Sequence, residues 1–205
     1  MSDIADFWFD PSCPYTWLTS RWLLEVRQVR PIEVRWHVMS LSVLNEGRDD
    51  DPEGDPEGYL WIPVRVCAAV QERYGQEALG RLYTAMWTTG DGDWIGDLRT
   101  ALATADLPVE LAEAGLSGDH DDAVRASHAE GMALIGGDHV GTPIVAVTRG
   151  DERVVFFGPV VSRVPTGEQA GLLWDGTLLV AGTPGFHELK GGPHREPELD
   201  GPHLP

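Results

Sequence analysis

Two residues near the amino terminus have the type and spacing for thiol chemistry. Cys13 is followed by Pro14, Tyr15 and Thr16 in the run SCPYT. A thiol just ahead of a helix faces backbone N–H groups without intrahelical partners and the positive end of the helix dipole. Both favour thiolate over thiol, so the expectation is a lowered pKa and a nucleophilic sulfur. Thr16, three residues on, can turn its hydroxyl toward that sulfur or toward a substrate atom. The bland alternatives are an N-cap position that happens to carry sulfur and an ordinary helical threonine. A second element is Thr142-Pro143, at the head of a later strand. A strand tolerates proline at its first residue or at an edge. The other possibility is a cis bond that turns the Thr142 backbone toward the Cys13 helix, with Gly136, Gly137 and Gly141 supplying permissive backbone before it.

These residues need elements to hold them. Ala5 to Asp10 (ADFWFD) is an aromatic run bounded by Pro11 and reads as a buried strand. Pro14 suits a first helical turn, and Trp17, Leu18, Trp22, Leu24, Val26 and Val29 recur at helical spacing, which predicts a helix over Pro14–Val29. Pro31 ends it. Ile32 to Met39 alternates apolar and polar residues and reads as a second strand, parallel to the first in a βαβ unit. The acidic, Gly/Pro-rich EGRDDDPEGDPEGY then reads as a solvated loop. From Tyr59 to about Ile135 only helical stretches appear, among them WIPVRVCAAVQERYG, EALGRLYTAMW and PVELAEAG. Asp93, Pro108 and Asp119 look like helix starts, and Gly75 and Gly136 like stops. Val140–Thr148 and Arg153–Gly158, with RGDE between, form a hairpin, and Thr166–Gly182 a final helix. The tail GGPHREPELDGPHLP is expected to be disordered or draped on the surface.

The chain has 205 residues, 42% of them apolar, with eight tryptophans, which suffices for one α/β domain with a packed core. Its net charge of −18 repels nucleic-acid phosphates and anionic lipid surfaces, so neither is an expected partner. No basic, apolar leader opens the sequence, and no run approaches the ~18 apolar residues of a membrane span. Free thiols are therefore expected at both Cys13 and Cys67, in a cytoplasmic protein.

Several other residues invite chemistry and have simpler explanations. Cys67 shares an apolar helical face with Val64 and Ala68 and reads as a buried structural thiol. Histidines 37, 120, 128, 139, 187, 194 and 203 offer no pair at metal-ligand spacing, and no metal site is expected. GDHDDA reads as an acidic first helical turn, and TTGDGDW as a loop lacking the remaining ligands of a calcium motif. The Gly136–Gly141 stretch has no following helix and so is not a phosphate loop. Trp8, Trp17, Trp22 and Trp36 read as core. Tyr15, Tyr59, Trp61, Trp87 and Trp94 could line an apolar cleft, or simply pack.

A C-P-x-x helix start after a first strand, a helical insertion and a T-P at a hairpin resembles the DsbA-like branch of the thioredoxin superfamily. More closely, FWFDPSCPYTWLTSRWLLEV, HVMSLSVLNE, PVRV, VGTPIVAV, FFGPVVSRVPTGEQAGLLWD and FHELK resemble the mycothiol-dependent nitroreductase family. The pieces follow in order along nearly the whole chain. The resemblance implies an α/β thioredoxin-like fold (βαβ … ββα) with an inserted all-helical subdomain. On this sequence that divides into residues 1–45, a helical lid at 46–138, residues 139–190 and a flexible tail at 191–205. It further implies a catalytic cysteine at Cys13, a cis-proline at Pro143, and motif positions at Tyr15 and Asn45; beside these, the residues themselves offer Thr16 as a catalytic hydroxyl and Pro14, Tyr59, Trp61 and Thr142 as thiol or substrate contacts. The small thiol mycothiol would be co-substrate, no cofactor would be tightly bound, and the partner would be an electrophilic small molecule; a homodimer is possible.

One departure bears on mechanism. Members of the family commonly carry C-P-x-C, and here the second cysteine position is Thr16. The route left is monothiol, in which Cys13 forms a mixed disulfide with a small thiol and a second thiol releases it. Two other readings stand beside it: a transferase or isomerase of the glutathione-transferase kappa type, with Thr16 activating a bound thiol, and a binding module whose redox chemistry has decayed.

Overall fold

The computed structural model describes residues 2–50, 52–90, 95–137 and 140–200. Trp94, Asp93, His139 and His203, all named above, lie outside the described residues. The elements run β1 (Asp3–Phe9), α1 (Pro14–Val29), β2 (Ile32–Val38), α2 (Leu41–Leu44), α3 (Trp61–Thr88) and α4 (Leu98–Thr104). A 3-10 helix (Val109–Leu116), α5 (Asp121–Ile135), β3 (Ile144–Arg149), β4 (Glu152–Phe157) and α6 (Gly167–Ala181) follow.

Four strands form one sheet in the order β2-β1-β3-β4. β1 and β2 are parallel with Phe7 opposite Trp36, while β3 runs antiparallel to both β1 and β4. Side chains alternate across β1. Ala5, Phe7 and Phe9 join the main core with Trp36, Tyr83, Trp17, Trp22 and Trp174, whereas Trp8 faces the other side with Met39, Ile144 and Ala146. On that second side α5 comes so close that a Cβ on Gly131 would lie 2.9 Å from the Trp8 ring. Glycine at 131 is thus what lets the helix reach the sheet.

α1 is held from below by a buried cation. Arg21 stacks on Trp17 at 3.9 Å and donates from Nε to Ser20 Oγ and from Nη1 to Thr84 Oγ1, both at 3.1 Å. Burial lowers its pKa to about 10, which still leaves it charged at neutral pH. The Arg21–Thr84 bond thereby joins α1 to α3.

The structure corrects several sequence readings. α5 begins at Asp121 with His120 as N-cap, two residues beyond the Asp119 start. PVELAEAG forms a 3-10 helix rather than an α-helix. β3 starts at Ile144, later than Val140, since the cis Thr142–Pro143 bond turns the chain first and Pro143 has no N–H for the ladder. Gly75, at φ +79, breaks α3 internally, and a helical segment resumes directly to Thr88. The short α2, which follows β2 and precedes the acidic loop, is capped by Ser40, whose Oγ accepts from Val43 N at 3.2 Å. No helix among the described residues is long and apolar enough to cross a membrane.

Candidate active site

Cys13 is the N-cap residue of α1, at φ −81 and ψ 115, with Pro14 opening the first turn. Its carbonyl accepts the first helical bond from Trp17 N at 3.0 Å, and its own N–H donates to Asp10 O at 3.3 Å. The second bond closes Asp10-Pro11-Ser12-Cys13 into a tight turn that ends on a half-buried cysteine.

Thr142 reaches this turn from the head of β3. Its Oγ1 accepts from Asp10 N at 3.1 Å and pairs with Thr16 Oγ1 at 3.2 Å. Thr16 is fully buried, and Thr142 nearly so. A hydroxyl has one proton and can accept as well as donate. Thr16 Oγ1 is the donor of that pair, and its hydroxyl also lies within hydrogen-bonding reach of the Cys13 sulfur, so its one proton can serve either Thr142 or the sulfur. The structure thus brings together Cys13, Pro14, Thr16, Thr142 and the cis-bonded Pro143.

The electrostatics differ from the sequence expectation. Burial pushes the Cys13 thiol up from its ordinary value. The Thr16 hydroxyl and amide, and the Tyr15 amide, work against that shift, while the charge of Asp10 adds to it. The helix N-terminus does supply thiolate-stabilising donors as anticipated, but desolvation outweighs them.

Asp10 is the functional residue that sequence reasoning missed. It is fully buried, and its two oxygens accept separately from Ser12 N at 2.8 Å and Leu41 N at 2.7 Å. One carboxylate therefore ties the cysteine turn to the start of α2. Burial raises its pKa to about 7, opposed by those two amides and aided by the charge of Glu53. The available signal was a carboxylate ending a buried aromatic strand three residues before the thiol. His128 of α5 is a second buried group, kept below its ordinary pKa by burial and by Arg125, and its Nδ1 lies 3.5 Å from Ser40 N.

The remaining candidates separate into groups. Asn45 and Trp61 line an open cleft of about 310 Å³ beside α2, with Leu41, Arg48, Glu53 and Asp55. Asn45 Nδ2 donates to Glu53 there at 3.1 Å. Cys13, Thr16 and Thr142 are not in its lining; Leu41, whose N–H binds Asp10, is the link between cleft and thiol. Tyr59 is exposed and not in the lining either. Tyr15 faces the tail, its hydroxyl donating to Arg195 O at 2.9 Å. Trp87 is no cleft residue, for it is buried, stacks on Trp17 and donates from Nε1 to Pro11 O at 2.9 Å. Cys67 is fully buried, with its thiol pushed far up by desolvation. Among the described residues no three His, Cys, Asp or Glu side chains gather as a metal site.

A helix-capping cysteine after the first strand, facing a cis-proline at the head of the third, on a sheet with helices inserted between its halves, defines a thiol oxidoreductase of thioredoxin-like, DsbA-like fold. Solved structures agree on the fold. The cytosolic disulfide reductase DsbM from Pseudomonas aeruginosa superimposes with a TM-score of 0.52 at 18% identity, covering 87% of this chain and 100% of that one. A probable DsbA oxidoreductase from Streptomyces coelicolor gives 0.52 at 18% identity, covering 96% and 97%. The chain itself belongs to the mycothiol-dependent nitroreductase family, since the family model described as "Rv2466c-like: Mycothiol-dependent nitroreductase Rv2466c" matches residues 12–191. An uncharacterized protein of Mycobacterium tuberculosis, Rv2286c, is 31% identical over 195 residues, which is 91% of this chain and 80% of that protein.

Proposed function

We propose that this protein is a cytoplasmic monothiol reductase, in which Cys13 passes electrons from a small thiol, mycothiol by family, to an electrophilic small molecule such as a nitroaromatic. The observation that carries this reading is a single half-buried cysteine at the start of α1, its thiol within a set of hydrogen-bond donors, while the other cysteine is sealed in the core. Thiol-disulfide exchange at that sulfur then needs an external thiol for each step. In the first half-reaction, Cys13–SH, one small thiol RSH and a nitro group give the mixed disulfide Cys13–S–SR, a nitroso group and water. In the second, another RSH attacks that disulfide, a new S–S bond forms as the Cys13–S bond breaks, and RSSR leaves with Cys13 reprotonated. Two thiols thus supply the two electrons and two protons that the nitro group takes up.

In this scheme Thr16 steadies the Cys13 anion, while the Thr142 backbone beside Pro143 receives the incoming thiol. Asn45 and Trp61 would hold the far end of a co-substrate in the cleft beyond Leu41. The transferase reading loses ground because the Thr16 hydroxyl is fully buried and engaged with Thr142, and so is poorly placed to activate an external thiol.

The test is intact-mass analysis after mixing the protein with an oxidised small thiol, followed by turnover of nitroaromatics with mycothiol or glutathione as reductant. One adduct is expected on the wild type and none on Cys13→Ser, which should also lose turnover. A Cys13→Ser protein that keeps full activity would sink the proposal.

A further inference from the structure

The tail after α6 has no regular structure, yet it is fastened across the entrance of α1. The Tyr15 hydroxyl donates to Arg195 O at 2.9 Å, and the Tyr15 ring lies 4.7 Å from the His194 ring, tilted by 48°. Three residues on, Glu198 N donates to Ser162 O at 2.7 Å, its carboxylate lies 3.9 Å from Arg163, and Leu199 packs against the main core. The loop receiving it is itself bound to α1, for Thr19 Oγ1 donates to Pro159 O at 2.8 Å. The segment is therefore anchored at one end to the loop after β4 and at the other to the aromatic residue two places after Cys13. It also lies beyond residue 191, where the match to the family ends.

We infer that the His194–Arg195 segment is a specificity-determining wall of the Cys13 site: it holds the Tyr15 side chain in place and limits the width of the disulfide or electrophile that reaches the sulfur. A tyrosine on an exposed first turn would otherwise sample several rotamers. One hydrogen bond and one aromatic contact favour the held position by only about tenfold, enough to select by size without closing the site. The inference rests on Cys13 being a reactive thiol, as proposed above.

Its test compares two uncharged reagents of one chemistry, methyl methanethiosulfonate and a bulky aromatic methanethiosulfonate, on the full chain, on a chain ending at Gly191 and on full-length Tyr15→Phe. Truncation is expected to speed the bulky reagent about tenfold and the small one less than twofold, with the pH midpoint of labelling unchanged. Tyr15→Phe loses the hydrogen bond alone and should show a smaller change in the same direction, and it carries the test if the shortened chain does not fold. An unchanged ratio of the two rates, or an equal rise in both, overturns the inference. Failure of either reagent to label Cys13 in any chain would instead overturn the monothiol reading, so the two failures are distinguishable.

Discussion

Replacing Asp10 with asparagine removes a buried charge beside the reactive sulfur and keeps the shape of the side chain. The Cys13 N–H bond to Asp10 O closes a turn whose ends lie within about 7 Å. At an effective dielectric of about 20, a full charge at that separation costs the thiolate about 2 kcal/mol. Above about pH 8, where Asp10 is ionised, that is worth on the order of thirtyfold in thiolate population, whereas near pH 7, where about half the molecules hold Asp10 neutral, the difference is only about twofold. Asp10→Asn should therefore move the Cys13 titration midpoint down. A less basic thiolate is also a weaker nucleophile, by roughly half a decade for each decade of acidity. Alkylation by iodoacetamide should be about fivefold faster than wild type between about pH 8 and the midpoint and about fivefold slower above it, so the two pH profiles cross. A loosened site would raise the rate at every pH. Profiles that do not cross, or a midpoint that stays or rises in a folded variant, would refute the electrostatic account. Stability supplies a second readout. With a folded pKa of about 7 and an unfolded value of about 3.9, Asp10 takes up a proton on folding between pH 4 and 7, and its contribution declines as pH rises through that window, by about 4 kcal/mol in all. That slope should be missing from the variant's urea-melt series, although the amide accepts only one of the two N–H groups and lowers stability at the acid end by about 1–3 kcal/mol.

Other expectations follow from the same geometry. Thr16→Val removes the hydroxyl that opposes the upward shift of Cys13, so the labelling midpoint should rise and the rate at pH 7 should fall several-fold; an unchanged profile would mean the hydroxyl serves Thr142 alone. Thr142→Val leaves the buried Asp10 N–H without its acceptor and should cost about 1–3 kcal/mol in chemical denaturation. Gly131→Ala forces a methyl to within 2.9 Å of the Trp8 ring and should destabilise by about 1–3 kcal/mol, with a change in Trp8 fluorescence where α5 shifts. Cys67 should resist alkylating agents in the folded protein and react only once the chain is unfolded, because its thiol is fully buried; labelling of both cysteines under native conditions would contradict the packing.

Local signals carried much of the fold. Pro14 and the spacing of Trp17, Leu18 and Trp22 marked α1 at its observed limits, because a helix start and an amphipathic stripe depend on near neighbours. The alternation in Ile32–Val38 likewise marked a strand, and the βαβ order made it parallel to β1. The hairpin and α6 were legible from the turn at RGDE and from Gly182. Trp87 shows the limit. Its sequence neighbours say only that it sits on a helix, and whether it lines a cleft or stacks on Trp17 depends on a residue seventy positions away.

The site divides in the same way. Residue types and spacing alone placed a cysteine at a helix start with a hydroxyl one turn on, and a Thr-Pro pair able to approach it, since each of these is a property of a few consecutive residues. Tertiary structure decided how those groups act: that desolvation prevails over the helix amides at Cys13, that Asp10 is buried and divides its oxygens between Ser12 and Leu41, and that the tail crosses back to Tyr15. Burial and through-space charge depend on which distant segments close over a group, and no run of neighbouring residues encodes that by itself.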